Sequence, residues 1–132
     1  MILEAVVLSC VGVAGEVAFT AVTERKDARL TGHTYLWMFP VYLTLYPGFA
    51  FLLPRVGHLH WAGRGALYAV LIVLGELLFG LLLKAALGQA PWEPAYKGKP
   101  RVLAGVANLD YLPAWAAGAL FYERVYRLLA GV

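Results

Sequence analysis

Four long apolar runs, separated by three polar stretches, set the pattern of this chain. They cover about 2–23, 35–53, 66–87 and 110–129, and each approaches the roughly 20 residues needed to cross a hydrocarbon layer about 30 Å thick. The expected fold is therefore an all-α membrane protein: one four-helix transmembrane domain over 1–132. In the first run Ser9, Gly12, Glu16, Thr20 and Thr23 recur at spacings of three and four, which places them on one helix face that should look inward. Cys10, Ala14 and Ala18 form a second, small-residue row suited to close helix packing.

The second run carries Pro40 and Pro47 inside it and Pro54 at its end. Each interior proline removes a backbone hydrogen bond, so a kinked second helix is expected. Tyr42 and Tyr46 share a face in its depth, and Tyr35 and Trp37 suit an interfacial aromatic belt. The third run, ALYAVLIVLGELLFGLLLKAAL, has Glu76 at its middle and Lys84 two turns later. Those two are too far apart to pair directly, so Lys84 should reach for the interface. The long connection Gly88–Asn108 is broken by Pro91, Pro94, Gly98 and Pro100. Its apolar piece Val102–Leu109 is too short to span and reads as a re-entrant or interfacial segment, or as an extension of the last helix. Glu123 and Arg127, four apart near the end of the fourth run, read as ordinary surface charge.

Composition agrees with the pattern. Hydrophobic residues make up 61% of the 132 and charged ones 14%, with a mean hydropathy of +0.69, well outside the soluble range. The net charge of +3 does not indicate nucleic acid, because the basic residues are scattered over connections and helix ends. Arg25, Lys26, Arg29, Lys97, Lys99 and Arg101 fall on one side, against Arg55, Arg64, Arg124 and Arg127 on the other. That bias places both termini outside. A lone Cys10 forms no internal disulfide. His58 and His60 lack the further ligands of a metal site, and no cofactor motif is present, so neither metal nor cofactor is expected.

The chemistry centres on two echoing elements, Gly15-Glu16-Val17-Ala18-Phe19 and Gly75-Glu76-Leu77-Leu78-Phe79. The echo suggests two helical-hairpin repeats, although Tyr35-Leu36 and Tyr111-Leu112 align only with a 16-residue insertion in the second half. Repeats of this kind place a site at their midplane interface, where Glu16 and Glu76 would meet. A charged side chain at a helix centre costs roughly 2.5–3.5 kcal/mol, so both glutamates need donors, protons or a wet cavity.

The succession Gly15-Glu16-Val17-x-Phe19-Thr20-Ala21, Gly32-x-Thr34-x-x-Trp37-x-x-x-x-Tyr42, Glu76-x-x-x-Gly80, Pro91-Trp92-Glu93 and Gly105-x-x-x-Leu109-Asp110-Tyr111-x-x-x-Trp115-x-x-Gly118-Ala119-Leu120-x-x-Glu123 resembles the small four-helix membrane proteins known as ABC-transporter type IV, or CmpB-like, whose relatives include vertebrate transmembrane proteins. In that family an aromatic follows the acidic residue after Pro-Trp; here Pro94 stands there. The resemblance implies the four-helix fold and a transporter label, and an ATP-driven role would need a separate ATPase subunit.

The leading expectation is a multi-pass protein of the plasma or inner membrane, in contact with lipid and homodimeric, that binds or moves a small molecule or lipid headgroup. Its candidate ligand-binding residues are Glu16, Thr20, Trp37, Tyr42, Glu76, Trp92, Glu93, Asp110, Tyr111 and Trp115. The alternatives are a structural or partner subunit of a membrane complex, and a lipid-modifying enzyme with Glu16 and Glu76 as acid and base. The missing nucleophile, metal set and phosphate loop count against the enzyme.

Overall fold

The computed structural model describes all residues, 1–132. The chain is mostly helical, in the order α1 (Ile2–Glu24), α2 (Met38–Leu43), α3 (Leu45–Val56), α4 (Trp61–Leu87), α5 (Glu93–Tyr96), β1 (Val102–Leu103), β2 (Ala107–Asn108), a 3₁₀ turn (Leu109–Tyr111) and α6 (Leu112–Ala130). Two of these helices, α1 and α4, are long and apolar enough to cross a membrane. The residues sort into two compact units, one of 1–55 with 122–132 and one of 56–121. One boundary, 55/56, falls between the two Gly-Glu-x-x-Phe elements, and the other, 121/122, falls inside α6.

In the first unit α1 turns its Ser9–Thr20 face inward, as its spacing requires. Ser9, fully buried, donates to the Phe39 carbonyl at 2.9 Å. Thr20 Oγ1 lies 2.8 Å from both the nitrogen and the oxygen of His33, accepting from one and donating to the other. The segment before α2 therefore runs close along α1. Gly32 is required there, because a methyl group at that position would overlap the Val17 carbonyl.

The expected second span is not a single helix. Pro47 has no N–H to give the Leu43 carbonyl, and α2 ends at Leu43. Both Pro40 and Pro47 sit within the first turn of their helices, where the missing amide costs nothing. Thr44 joins them, with its N–H on the Val41 carbonyl and its own carbonyl accepting from Gly48. Pro54 lies inside α3, which continues to Val56. At 6 and 12 residues, neither piece alone matches a bilayer. The C-terminal half of α6 completes the unit, with Tyr126 against Tyr46 and Phe49 at ring separations of 5.0 and 5.6 Å.

In the second unit α4 starts five residues earlier than its apolar run, because His60 Nδ1 accepts from the Ala62 N–H at 3.3 Å and caps it. It ends at Gly88, whose φ of 84° is the left-handed closure that glycine supplies. Its buried residues, Gly65, Tyr68, Ala69, Val73 and Gly80, lie on the side that carries Glu76. The N-terminal half of α6 packs there through Leu120 and Ala116 on Gly65.

The piece Val102–Leu109, expected as a re-entrant or interfacial segment or as an extension of the last helix, does not extend α6. It is a hairpin in which Val102 pairs with Asn108 and Leu103 with Ala107. Ala104 and Gly105 both have positive φ, 51° and 77°, the pattern of a tight I′ turn. Val106, Ala107 and Asn108 are fully buried, and Val106 fills the notch left by Gly80.

A methyl group on Gly80 would stand 2.6 Å from Val106 Cβ, whereas one on Gly75 would meet nothing within 4 Å. Gly80→Ala should therefore destabilise the protein by about 1–3 kcal/mol in denaturation from detergent micelles, and Gly75→Ala should not. Equal behaviour of the two would contradict this packing.

Candidate functional site

The two glutamates lie in different units, each with its own neighbours. Glu16 projects from the inward face of α1, half-buried, with Tyr42, Thr34 and His33 as its polar and titratable neighbours. Its Oε2 atom and the Thr34 hydroxyl oxygen are both buried without a hydrogen-bond partner. Two glycines hold aromatic rings on either side. Tyr42 lies on Gly12, where a methyl group would overlap the ring, and the Tyr122 hydroxyl lies over Gly15. Tyr42 and Tyr122 are 6.3 Å apart at their ring centres. Thr20 is engaged with the His33 backbone and serves to hold the segment that carries Thr34. Trp37 is 51% exposed at the start of α2, away from any enclosed wall.

Glu76, on α4, is clasped. Its Oε1 accepts from the Tyr96 hydroxyl at 2.7 Å and its Oε2 from the Trp115 indole N–H at 3.3 Å. Tyr111 stacks edge-on against Trp115 at 5.3 Å and against Tyr96 at 5.9 Å, so three rings from α5, the 3₁₀ turn and α6 close around one carboxylate. Lys99 donates to the Tyr111 hydroxyl at 3.2 Å. Trp92, a candidate ligand-binding residue, is a tether: it is buried, and its indole N–H donates to the Val106 carbonyl at 2.7 Å. Glu93 pairs with Lys84 at 2.6 Å and accepts from the Ala90 N–H at 3.1 Å. Lys84 thus reaches a carboxylate at the end of α4. Asp110 pairs with Arg101 at 2.7 Å and is exposed.

Sequence reasoning missed four residues. Tyr96 is buried and supplies the shorter bond to Glu76. Asn108 is fully buried; its Oδ1 caps Asp110 N at 3.0 Å and its Nδ2 has no partner. Tyr122 lies over Gly15. Glu123 is only 3% exposed and pairs with Arg127 at 2.9 Å, so it is not surface charge; the i, i+4 spacing was its only signal. No three His, Cys, Asp or Glu side chains converge on a common point that could hold a metal ion.

Chemically, the first unit offers buried oxygen atoms to a donor or a small cation, and the second offers a carboxylate already supplied with neutral donors. No family model, curated protein or solved structure matches this chain.

The Lys84 ammonium beside Glu93, and then the Ala90 N–H, hold the Glu93 carboxyl below the usual carboxylate range. A depressed folded-state value means that Glu93 contributes stability above the unfolded carboxylate value and loses it as pH falls through the folded one. Thermal denaturation between about pH 6 and about pH 3 should show a loss on acidification that is smaller in Glu93→Gln. An identical acid dependence in the variant would contradict the assignment.

Proposed function

We propose that this chain is a multi-pass integral membrane protein of the plasma or inner membrane that binds or moves a small cationic or hydroxylated molecule, or a lipid headgroup, at Glu16. Membrane insertion accounts for the exposure of α1 and α4. Only 22% of the most apolar 18-residue stretch of each is buried, and Val70, Leu71, Leu74, Leu78, Leu81 and Leu82 all face outward on α4. In water such a surface would be a severe liability; in lipid it is the required one. The α2–α3 pair and α6 would be the second and fourth crossings, with exposed Trp37 and Trp61 at headgroup level. A dimer would give transport the room that four helices alone do not enclose. The resemblance to the CmpB-like family leads to the same proposal.

The observation that carries the reading is Glu16 Oε2, buried in an apolar helix with no partner and accompanied by the equally unpartnered Thr34 hydroxyl. An unsatisfied buried polar group costs about 1–3 kcal/mol, and a ligand supplying a donor or positive charge would recover it. Glu76, with its two donors, is assigned a structural role.

The test is thermal stabilisation of the purified protein in micelles by a panel of small ammonium compounds, polyols and short-chain phospholipids. At about 100 times Kd a ligand adds about 2.7 kcal/mol. A stabilising compound should act on the wild type and on Glu76→Gln but lose its effect in Glu16→Gln. No effect from any member, or an effect that survives Glu16→Gln, contradicts the reading.

A further inference from the structure

The connection Gly88–Asn108 has little structure of its own to keep it folded. Its helix is four residues long and its ladder two residues on each strand, both far below what stands alone in water. It is held by its seat on α4. Val106 fills the Gly80 notch, Glu93 is tied to Lys84, and Tyr96 donates to Glu76 near the middle of α4. The Trp92 indole bonded to the Val106 carbonyl joins α5 to the hairpin turn, so the connection moves as one piece. Positive-φ glycines stand at its start, Gly88, and between α5 and β1, Gly98, the positions where a backbone reorients most easily. Glu76 is a fastening shared by three elements, since its other oxygen takes the Trp115 N–H of α6.

We propose that the connection Gly88–Asn108 is a lid on α4 with Glu76 as its catch, and that it opens locally while the long helices stay folded. The clasp needs a polar group at position 76. A glutamine can still satisfy both partners, its oxygen on the Trp115 N–H and its amide on the Tyr96 hydroxyl, which can accept, whereas a leucine of similar size meets neither and the catch fails on both sides. Opening uncovers the Glu76 carboxylate and the Trp115 indole together, which makes Glu76 a covered polar site. This inference is independent of the role proposed for Glu16.

The experiment uses the full chain in detergent micelles with the exposed Cys10 replaced by serine. Val106→Cys, a smaller side chain at a fully buried position, reports on the lid through its rate of reaction with a water-soluble maleimide. Ser9→Cys, fully buried in the other unit, reports on global unfolding. Glu76→Leu and Tyr96→Phe should each raise the Val106→Cys rate by about tenfold or more, the size of at least one buried hydrogen bond, with Ser9→Cys unchanged. Trypsin cleavage at Arg101, which needs the β1–β2 ladder to part, checks the same opening without a reporter cysteine and should accelerate in the same two variants. Unchanged labelling and cleavage, or both reporters becoming reactive together, overturns the proposal.

Discussion

A carboxylate on the inner side of a long apolar helix has to be given donors, and the second unit is arranged around meeting that need at Glu76. The hydroxyl of Tyr96 and the indole of Trp115 reach it from segments that are distant in sequence. Hydrogen bonds in apolar surroundings are stronger than in water, and here they fix where α5 and the start of α6 stand against α4. The rest of the connection follows from that constraint. Gly80 has no side chain so that Val106 can come close, the I′ turn returns the chain toward α6, and Lys84 with Glu93 closes the outer end. Polar contacts of this kind specify one arrangement where apolar packing alone would allow several.

The first unit uses similar materials differently. Gly15-Glu16 and Gly75-Glu76 share local sequence, yet Gly15 is covered by the Tyr122 hydroxyl and Gly75 faces open space. The common pattern is therefore a property of two helices and not of their surroundings. Around Glu16 the tyrosines fill the glycine notches and leave one carboxylate oxygen and the Thr34 hydroxyl without partners. Glu76 joins three elements of its unit, and the Oε2 atom of Glu16 is buried without a hydrogen-bond partner.

Periodicity and apolar length made α1 legible almost to the residue and α4 at its C-terminal end, its start lying five residues earlier than the apolar run, because those signals are local and repeat along the helix. The inward face of α1 was equally clear from the spacing of Ser9, Gly12, Glu16 and Thr20. The break at Leu43 was foreshadowed by Pro47 but read as a kink, since a proline removes a bond without saying whether the helix bends or restarts. The hairpin at Val102–Asn108 lacked the usual Asn-Gly or Asp-Gly signal; Ala104 occupies a left-handed position that alanine seldom takes. Tyr96 could not be matched to Glu76 because they meet across a proline-broken connection of no fixed period. The pairing expected between Glu16 and Glu76 came from the sequence echo and from the midplane interface that repeats share, and the local partners of each glutamate were invisible to both.

The central claim is that Glu76 and Tyr96 are energetically coupled as the clasp of the second unit. A double-mutant cycle of Glu76→Leu and Tyr96→Phe, measured by reversible denaturation in mixed micelles, tests it directly. The account predicts that the two effects are strongly non-additive, with a coupling of about 1–3 kcal/mol. Additive effects within about 0.3–0.5 kcal/mol would contradict it.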